Sequence, residues 1–142
     1  MRTRTLLILA VCCGFAILFA GGIQLLRIAN QESSDVEFSE LGERVQVGDM
    51  TIVVESFTEA DGVATIAVRI GGVDDDDGAT DFRLGVAGEV IAANRSGDAA
   101  CGATTLAEQT CILRFSVADA AGGTRILVYE RGDEDARWEL SA

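Results

Sequence analysis

Two hydrophobic patterns divide the chain. From Leu6 to Leu26, LLILAVCCGFAILFAGGIQLL, apolar residues run on without a single charge, whereas beyond position 40 they come in short alternating runs broken by Gly and Asp. The first pattern predicts a membrane helix, because about twenty residues rising ~1.5 Å each span the ~30 Å hydrocarbon core of a bilayer. The second predicts strands buried on one face. Arg44 to Val47 alternates, and Gly48-Asp49 turns the chain into Met50 to Phe57. Asp61-Gly62 is a strong hairpin signal, since Gly accepts positive φ at no steric cost. It leads into Val63 to Ile70, where Ala64, Ile66, Val68 and Ile70 share one face, and Gly71-Gly72 ends that run. Phe82 to Val86, a Gly88 turn and Glu89 to Ala92 follow, then Cys111 to Val117, Arg125 to Glu130, a Gly132-Asp133 turn and Arg137 to Leu140. Seven or eight short strands at roughly ten-residue spacing, with no helical pattern after the first segment, predict an all-β antiparallel sandwich. Tyr129 and Trp138 are its expected core or core-edge aromatics.

Arg2 and Arg4 precede the apolar run, no acidic residue comes before Glu32, and Arg27 alone opposes them. This bias places the N-terminus in the cytoplasm and the rest of the chain across the membrane. The expected organisation is a short cytoplasmic N-terminus and transmembrane anchor over 1–26, a polar tether over 27–40, and an extracytoplasmic domain over 41–142. The tether, RIANQESSDVEFSE, lacks helical or strand periodicity and as a flexible chain would span roughly 20 Å. The alternative is a cleaved signal peptide. Against it, the candidate site after Ala20 has Leu18 where a small residue is preferred, and the apolar run continues to Leu26. Cys12 and Cys13 lack the preceding small residue and full-length apolar core of a lipidation signal. A pilin-like leader at Gly14-Phe15 lacks its charged leader and its Glu.

Charge and composition then narrow the function. All 23 acidic residues lie after position 30 against eight arginines, so that part carries a net charge of −15. Such a domain repels nucleic acid and anionic headgroups and favours cations or basic partners. The chain has no Lys, His or Pro. Without histidine it lacks the commonest general base and the commonest zinc ligand, and no Ser-His-Asp or Cys-His nucleophile can be assembled from this chain alone. The expectation is no catalytic residue, no resident metal and no cofactor.

The four cysteines fall into two pairs. Cys12 and Cys13, in the apolar run, act as small apolar residues, with palmitoylation as an alternative. Cys101 and Cys111 form an even pair in an oxidising compartment and are expected to be bonded to each other. A redox role lacks the CxxC spacing.

Two motifs invite chemistry. Asp74-Asp75-Asp76-Asp77-Gly78 offers oxygen ligands, but an EF-hand loop ending at Gly78 would need an acid at Val73 and a Glu at Leu84. The run reads as a solvated inter-strand loop, with weak calcium binding as the alternative. Arg131-Gly132-Asp133 spells an adhesion tripeptide at an expected hairpin tip, where the turn alone explains Gly-Asp. A carboxylate-pair glycosidase would need an aromatic-rich cleft, and aromatics make up only 6% of the chain.

Leu41 to Val54, LGERVQVGDMTIVV, resembles the opening of a family of exported bacterial immunoglobulin-like domains of unknown function, found as lipoproteins, membrane-anchored proteins and secreted antigens. Asp81 to Leu84 with Gly88 resembles that family's middle strand pair, and Leu106 to Val117 its penultimate element. The resemblance covers roughly 41–140 and implies an immunoglobulin-like sandwich; it brings no catalytic residues. The family often has a lipid-accepting Cys where this chain has an apolar helix, and an Asn-rich turn where it has Gly71-Gly72 and the Asp run. The expected function is a membrane-anchored binding or interaction module for a protein or cell-envelope component. A structural subunit of a membrane complex is the alternative.

Overall fold

The computed structural model describes residues 3–31, 36–118 and 122–141. They form two units, Met1–Val36 and Glu37–Ala142. In the first, α1 runs over Thr3–Gln31. Its apolar stretch Thr3–Leu25, 23 residues, is long and apolar enough to cross a membrane, and none of it is buried. Ile17, Leu18 and Phe19 are each more than 70% exposed, an arrangement water disfavours and a bilayer does not. Of the polar segment 27–40, the helix backbone takes in residues up to Gln31, and residues from Glu37 belong to the second unit. Ser33-Ser34 lies outside the described residues.

The second unit is an antiparallel β-sandwich. Among the described residues its strands are β1 (Arg44–Val47), β2 (Met50–Ala60), β3 (Val63–Gly71), β4 (Phe82–Val86), β5 (Glu89–Ala92), β6 (Gln109–Ser116), β7 (Arg125–Arg131) and β8 (Glu134–Leu140). They make two four-stranded sheets, β1-β2-β3-β6 and β5-β4-β7-β8. The chain changes sheet after β3, after β5 and after β6. This is the immunoglobulin arrangement, with β3 beside β6 as the B–E pair and β5-β4-β7-β8 as C′-C-F-G. No named strand flanks the outer edge of β6. Instead residues 94–101 lie along it through Asn94 paired with Arg114 and Ala100 paired with Ile112.

Alternation sets which residues are inside. In β3, β4 and β7 every second residue is buried, and one core cluster draws Ile66, Val68 and Ile70 from one sheet and Phe82, Leu84, Leu127 and Tyr129 from the other. Phe82 and Tyr129 are register partners with rings tilted at 51° and centroids 4.6 Å apart. Trp138 is fully buried, and its indole N–H has no acceptor among the described residues.

β2 does not keep one alternation along its length. Val54 pairs with Val68 but Ser56 with Ala67, so Glu55 is the extra residue of a bulge. The phase of the strand switches there: Ile52 and Val54 face the core before the bulge, and Phe57, opposite Ile66, faces it afterwards. Arg69 holds the bulged Glu55 through an Nε–Oε1 bond of 2.9 Å.

Two-residue turns close the hairpins. Asp61 and Gly62 adopt φ of 52° and 73°, as the Asp-Gly signal predicts, and a side chain at 62 would meet Ala118 Cβ at 2.8 Å. Ala87 and Gly88, between β4 and β5, adopt φ of 48° and 86°. Ala87 thus sits in the left-handed region, which costs an L-residue with a plain Cβ roughly 1–2 kcal/mol. Asn tolerates that region better. Ala87→Asn is expected to raise the unfolding free energy by some tenths to about 1 kcal/mol in chemical denaturation; an unchanged or lowered midpoint would contradict the strain argument.

Candidate functional site

The polar chemistry of the sandwich gathers at its two ends and beside its disulfide. The inward column of β7 explains the first part. Arg125, Leu127, Tyr129 and Arg131 share one face, so the strand starts and finishes with an arginine turned toward the inter-sheet space.

At one end Arg131 reaches Asp49 in the β1–β2 turn through Nε and Nη2, and Nη1 lies 3.0 Å from Asp75 Oδ2 in the acidic loop. Glu134 accepts a 2.9 Å bond from the Gly48 backbone N–H, a second tie between the same two turns. Tyr129 donates its hydroxyl to the Gly78 carbonyl at 3.1 Å, and burial raises its pKa. The arginine holds the Asp49 carboxyl below its ordinary value. Asp75 is lowered first by the Asp77 backbone N–H and then by Arg131. Both carboxylates reinforce the arginine's charge in return.

This places the motifs read from the sequence. The Arg131-Gly132-Asp133 tripeptide does sit at the β7–β8 turn, but its arginine is committed to two carboxylates and its side chain is only 21% exposed. In the Asp run, Asp74, Asp76 and Asp77 are exposed and Asp75 is half-buried. The loop is also less free than a solvated linker. Asp75 and Thr104 exchange backbone bonds of 2.8 and 3.3 Å, and the buried Thr104 hydroxyl donates to the Val73 carbonyl at 3.0 Å. A side chain at Gly78 would meet Thr104 Oγ1 at 2.3 Å, so the Gly that follows the acids is required by close approach. Thr104 was not legible as a structural anchor, because its partners are about thirty residues away.

At the other end Arg125 forms a two-pronged pair with Glu59, both bonds 2.9 Å, and donates to the Gly122 carbonyl at 2.7 Å. Its side chain is 7% exposed. The bulge at Glu55 makes this pair geometrically possible, since it brings Phe57 and Glu59 onto the core-facing side. Arg125 holds the Glu59 carboxyl below its ordinary value. A cleft of about 510 Å³ opens beside it, lined by Phe57, Glu59, Thr124, Arg125, Glu139 and Leu140 among others.

Cys101 and Cys111 are bonded, as expected, joining the segment beside β6 to β6 itself across ten residues of sequence. Ala99 accepts a 2.7 Å bond from the Ile112 N–H, so the disulfide fastens the segment that covers this sheet edge. Next to it lies a smaller recess of about 200 Å³. Among the described residues no group of three or more His, Cys, Asp or Glu stands together in a way that would hold a metal ion.

Two solved structures are similar to the chain. The secreted protein MPT63 from Mycobacterium tuberculosis matches with a TM-score of 0.53 at 15% identity, over 76% of this chain and all of its own. An uncharacterized β-sandwich protein from Clostridium difficile 630 matches at 10% identity and a TM-score of 0.45, over 74% of this chain and 97% of its own. No family model and no curated protein sequence matches. At 15% identity the likeness to MPT63 is one of fold.

The lowered carboxylates give the domain an acid-side pH dependence. Asp49, Asp75, Glu59 and Glu108, the last held by Arg44, all have folded-state pKa values below ordinary ones of 3.8 for Asp and 4.5 for Glu. Each contributes stability that is complete above the ordinary value and is lost as pH falls through the lowered one, because the unfolded chain then binds more protons. Relief of self-repulsion among the other acids acts in the opposite direction. Comparison with a variant isolates the ion pairs: Arg131→Gln is expected to lower the thermal midpoint at pH 7 and to narrow the gap to wild type as pH falls from about 5 toward 2. A gap constant across that range would show that Arg131 acts through packing alone.

Proposed function

We propose that this chain is a single-pass membrane protein, with its N-terminus cytoplasmic, that displays an immunoglobulin-like sandwich outside the membrane. The sandwich acts there as a non-enzymatic binding or interaction module for a protein or a cell-envelope component. The observation that carries this reading is the wholly unburied apolar stretch Thr3–Leu25, in a chain whose sandwich completes its own core. Such a helix needs an apolar surrounding that the described residues do not provide, and a bilayer supplies it. Arg2 and Arg4 set the orientation, and the disulfide suits an oxidising compartment.

The same reading takes the chain as a divergent relative of the exported immunoglobulin-like domains that Leu41 to Val54 resembles. The absence of histidine supports a binding role. So does the direction of the shifted carboxylates: among the described residues Asp49, Glu59, Asp75 and Glu108 all move down, Asp75 held as an anion by the Asp77 backbone N–H and then Arg131, the others by arginines. A carboxylate-pair hydrolase needs one acid pushed up instead.

A second reading, a cleaved and secreted form of the same domain, is favoured by one observation, the secreted character of MPT63. The two separate on fractionation. The anchored protein is expected to stay in the membrane pellet after an alkaline carbonate wash, with a mass that includes residues 1–26 and rises by two hydrogens on reduction. A soluble chain lacking its first ~20 residues would overturn the anchor. Replacing Leu6 to Leu26 with an unrelated membrane helix is expected to leave partner capture by the sandwich unchanged. Loss of function in that variant would instead favour a structural subunit acting through its helix.

A further inference from the structure

The recess of about 200 Å³ beside the disulfide differs in character from the rest of the surface. The chain has 23 acidic residues against 11 basic ones, yet none of the residues lining this recess is acidic and two are arginines, Arg83 and Arg95. Their donors are under-committed. Arg83 uses Nη1 alone, donating to the carbonyls of Thr80 and Phe82 at 2.5 and 2.9 Å; among the described residues its Nε and Nη2 have no hydrogen-bond partner. Arg95 has only a 3.9 Å approach of Nη1 to the exposed Asp77 Oδ1, a contact water screens strongly. Asn94 accepts the Ser96 N–H through Oδ1 at 3.0 Å, which leaves its amide nitrogen free to donate. The remaining wall is small, with Thr80, whose hydroxyl is taken up by the Asp77 carbonyl, and an apolar part made by Ala79, Ala92, Leu113 and the Cys101 half of the disulfide.

The geometry points to an anion site that takes a compact carboxylate, with Arg83 and Arg95 binding the carboxylate oxygens, Asn94 adding a donor, and the apolar wall receiving a short aliphatic body. A guanidinium fork matches a carboxylate in shape and charge. The volume lies below the ~300–1,000 Å³ of drug-sized ligand sites, which limits the occupant to a few carbons beyond the charged group. Arg83 is fixed by two backbone carbonyls and so is oriented before binding, which lowers the ordering cost. The segment 94–101 that carries Asn94 and Arg95 is fastened to β6 by the disulfide. Two sources present this chemistry: a free small carboxylic acid, and the C-terminal carboxylate of a peptide ending in small residues. The site stands whether or not the N-terminal helix is retained, so its failure would leave the anchored-module reading untouched.

The test is an NMR titration of the full-length protein in detergent micelles, following the arginine Nε–Hε signals. Three probes are compared: sodium propionate, acetyl-Ala-Ala with a free carboxylate, and the same dipeptide as its amide. Saturable shifts at Arg83 and Arg95, with Arg137 unmoved, are expected for the acids, and Arg95→Gln is expected to weaken binding about tenfold. Arg95 has no structural bond to lose, so this variant keeps the fold; Arg83→Lys, which keeps the charge but not the fork, is expected to bind less tightly than wild type. Tighter binding of the dipeptide acid than of propionate assigns the site to a peptide C-terminus, and the reverse assigns it to a free acid. The proposal is overturned by the absence of saturable shifts, by equal binding of the amide, by the same shifts with sodium chloride at equal ionic strength, or by wild-type binding in Arg95→Gln.

Discussion

Among the described residues no strand ladder joins the two sheets of this sandwich. Apart from single backbone bridges at Ser39–Trp138 and Asn94–Arg114, their placement depends on side chains, and the inward column of β7 carries both core packing and charged ends. Its middle members, Leu127 and Tyr129, are fully buried, while its end members, Arg125 and Arg131, reach carboxylates supplied by the other sheet's hairpins or by the acidic loop. Ion pairs of this kind are weak evidence for net stability, because desolvation offsets much of the attraction. Their value here is in specification. A one-residue slip of β7 would turn both arginines out and Ile126 and Val128 in, leaving Glu59, Asp49 and Asp75 without their cation. The apolar middle of the column would accept either register; the charged ends accept one.

That constraint explains features that look unrelated along the chain. The bulge at Glu55 is needed because Glu59 must face inward where β2 passes Arg125, whereas Ile52 and Val54 must face inward before it. One extra residue reconciles the two phases. At the opposite end the acidic loop has to approach Arg131 closely, and the bare Cα of Gly78 under Thr104 allows it. An acidic run that appears designed for solvent is thus partly a structural ligand for an arginine 56 residues later.

The legible part of the fold was the part written locally. Alternation in Val63 to Ile70 and in Cys111 to Val117 marks strands because burial on one face imposes period two, and Asp61-Gly62 marks a hairpin because few residues accept its φ values. The bonding of Cys101 to Cys111 followed from there being one exported pair. What was not legible is long-range. Nothing near Arg131 announces Asp49, 82 residues earlier, and the tripeptide around it suggested an exposed tip. The bulge left no mark because Val54 and Phe57 are apolar in either phase. Arg83, Asn94 and Arg95 carry no motif; only the irregular segment that takes the place of a strand beside β6 sets Asn94 and Arg95 in the same recess as Arg83.

The distribution of arginines completes the picture. Of the eight beyond position 30, Arg44, Arg69, Arg125, Arg131 and Arg137 each hold a carboxylate by hydrogen bonds, as expected where acids outnumber bases about three to one. Arg114 is covered by the segment beside β6, where Nη2 donates to the Asp98 carbonyl at 3.1 Å and Nη1 is buried without a partner among the described residues. Among the described residues Arg83 and Arg95 line a recess with donors to spare. In a domain with abundant carboxylates, a pair of guanidinium groups left largely unengaged is a departure from charge balance that folding does not require. Arg95, exposed and held by no hydrogen bond among the described residues, adds nothing to the core or to strand register. At such a site the surrounding negative field would favour an occupant of small charge whose body meets the apolar part of the wall over a polyanion held by charge alone.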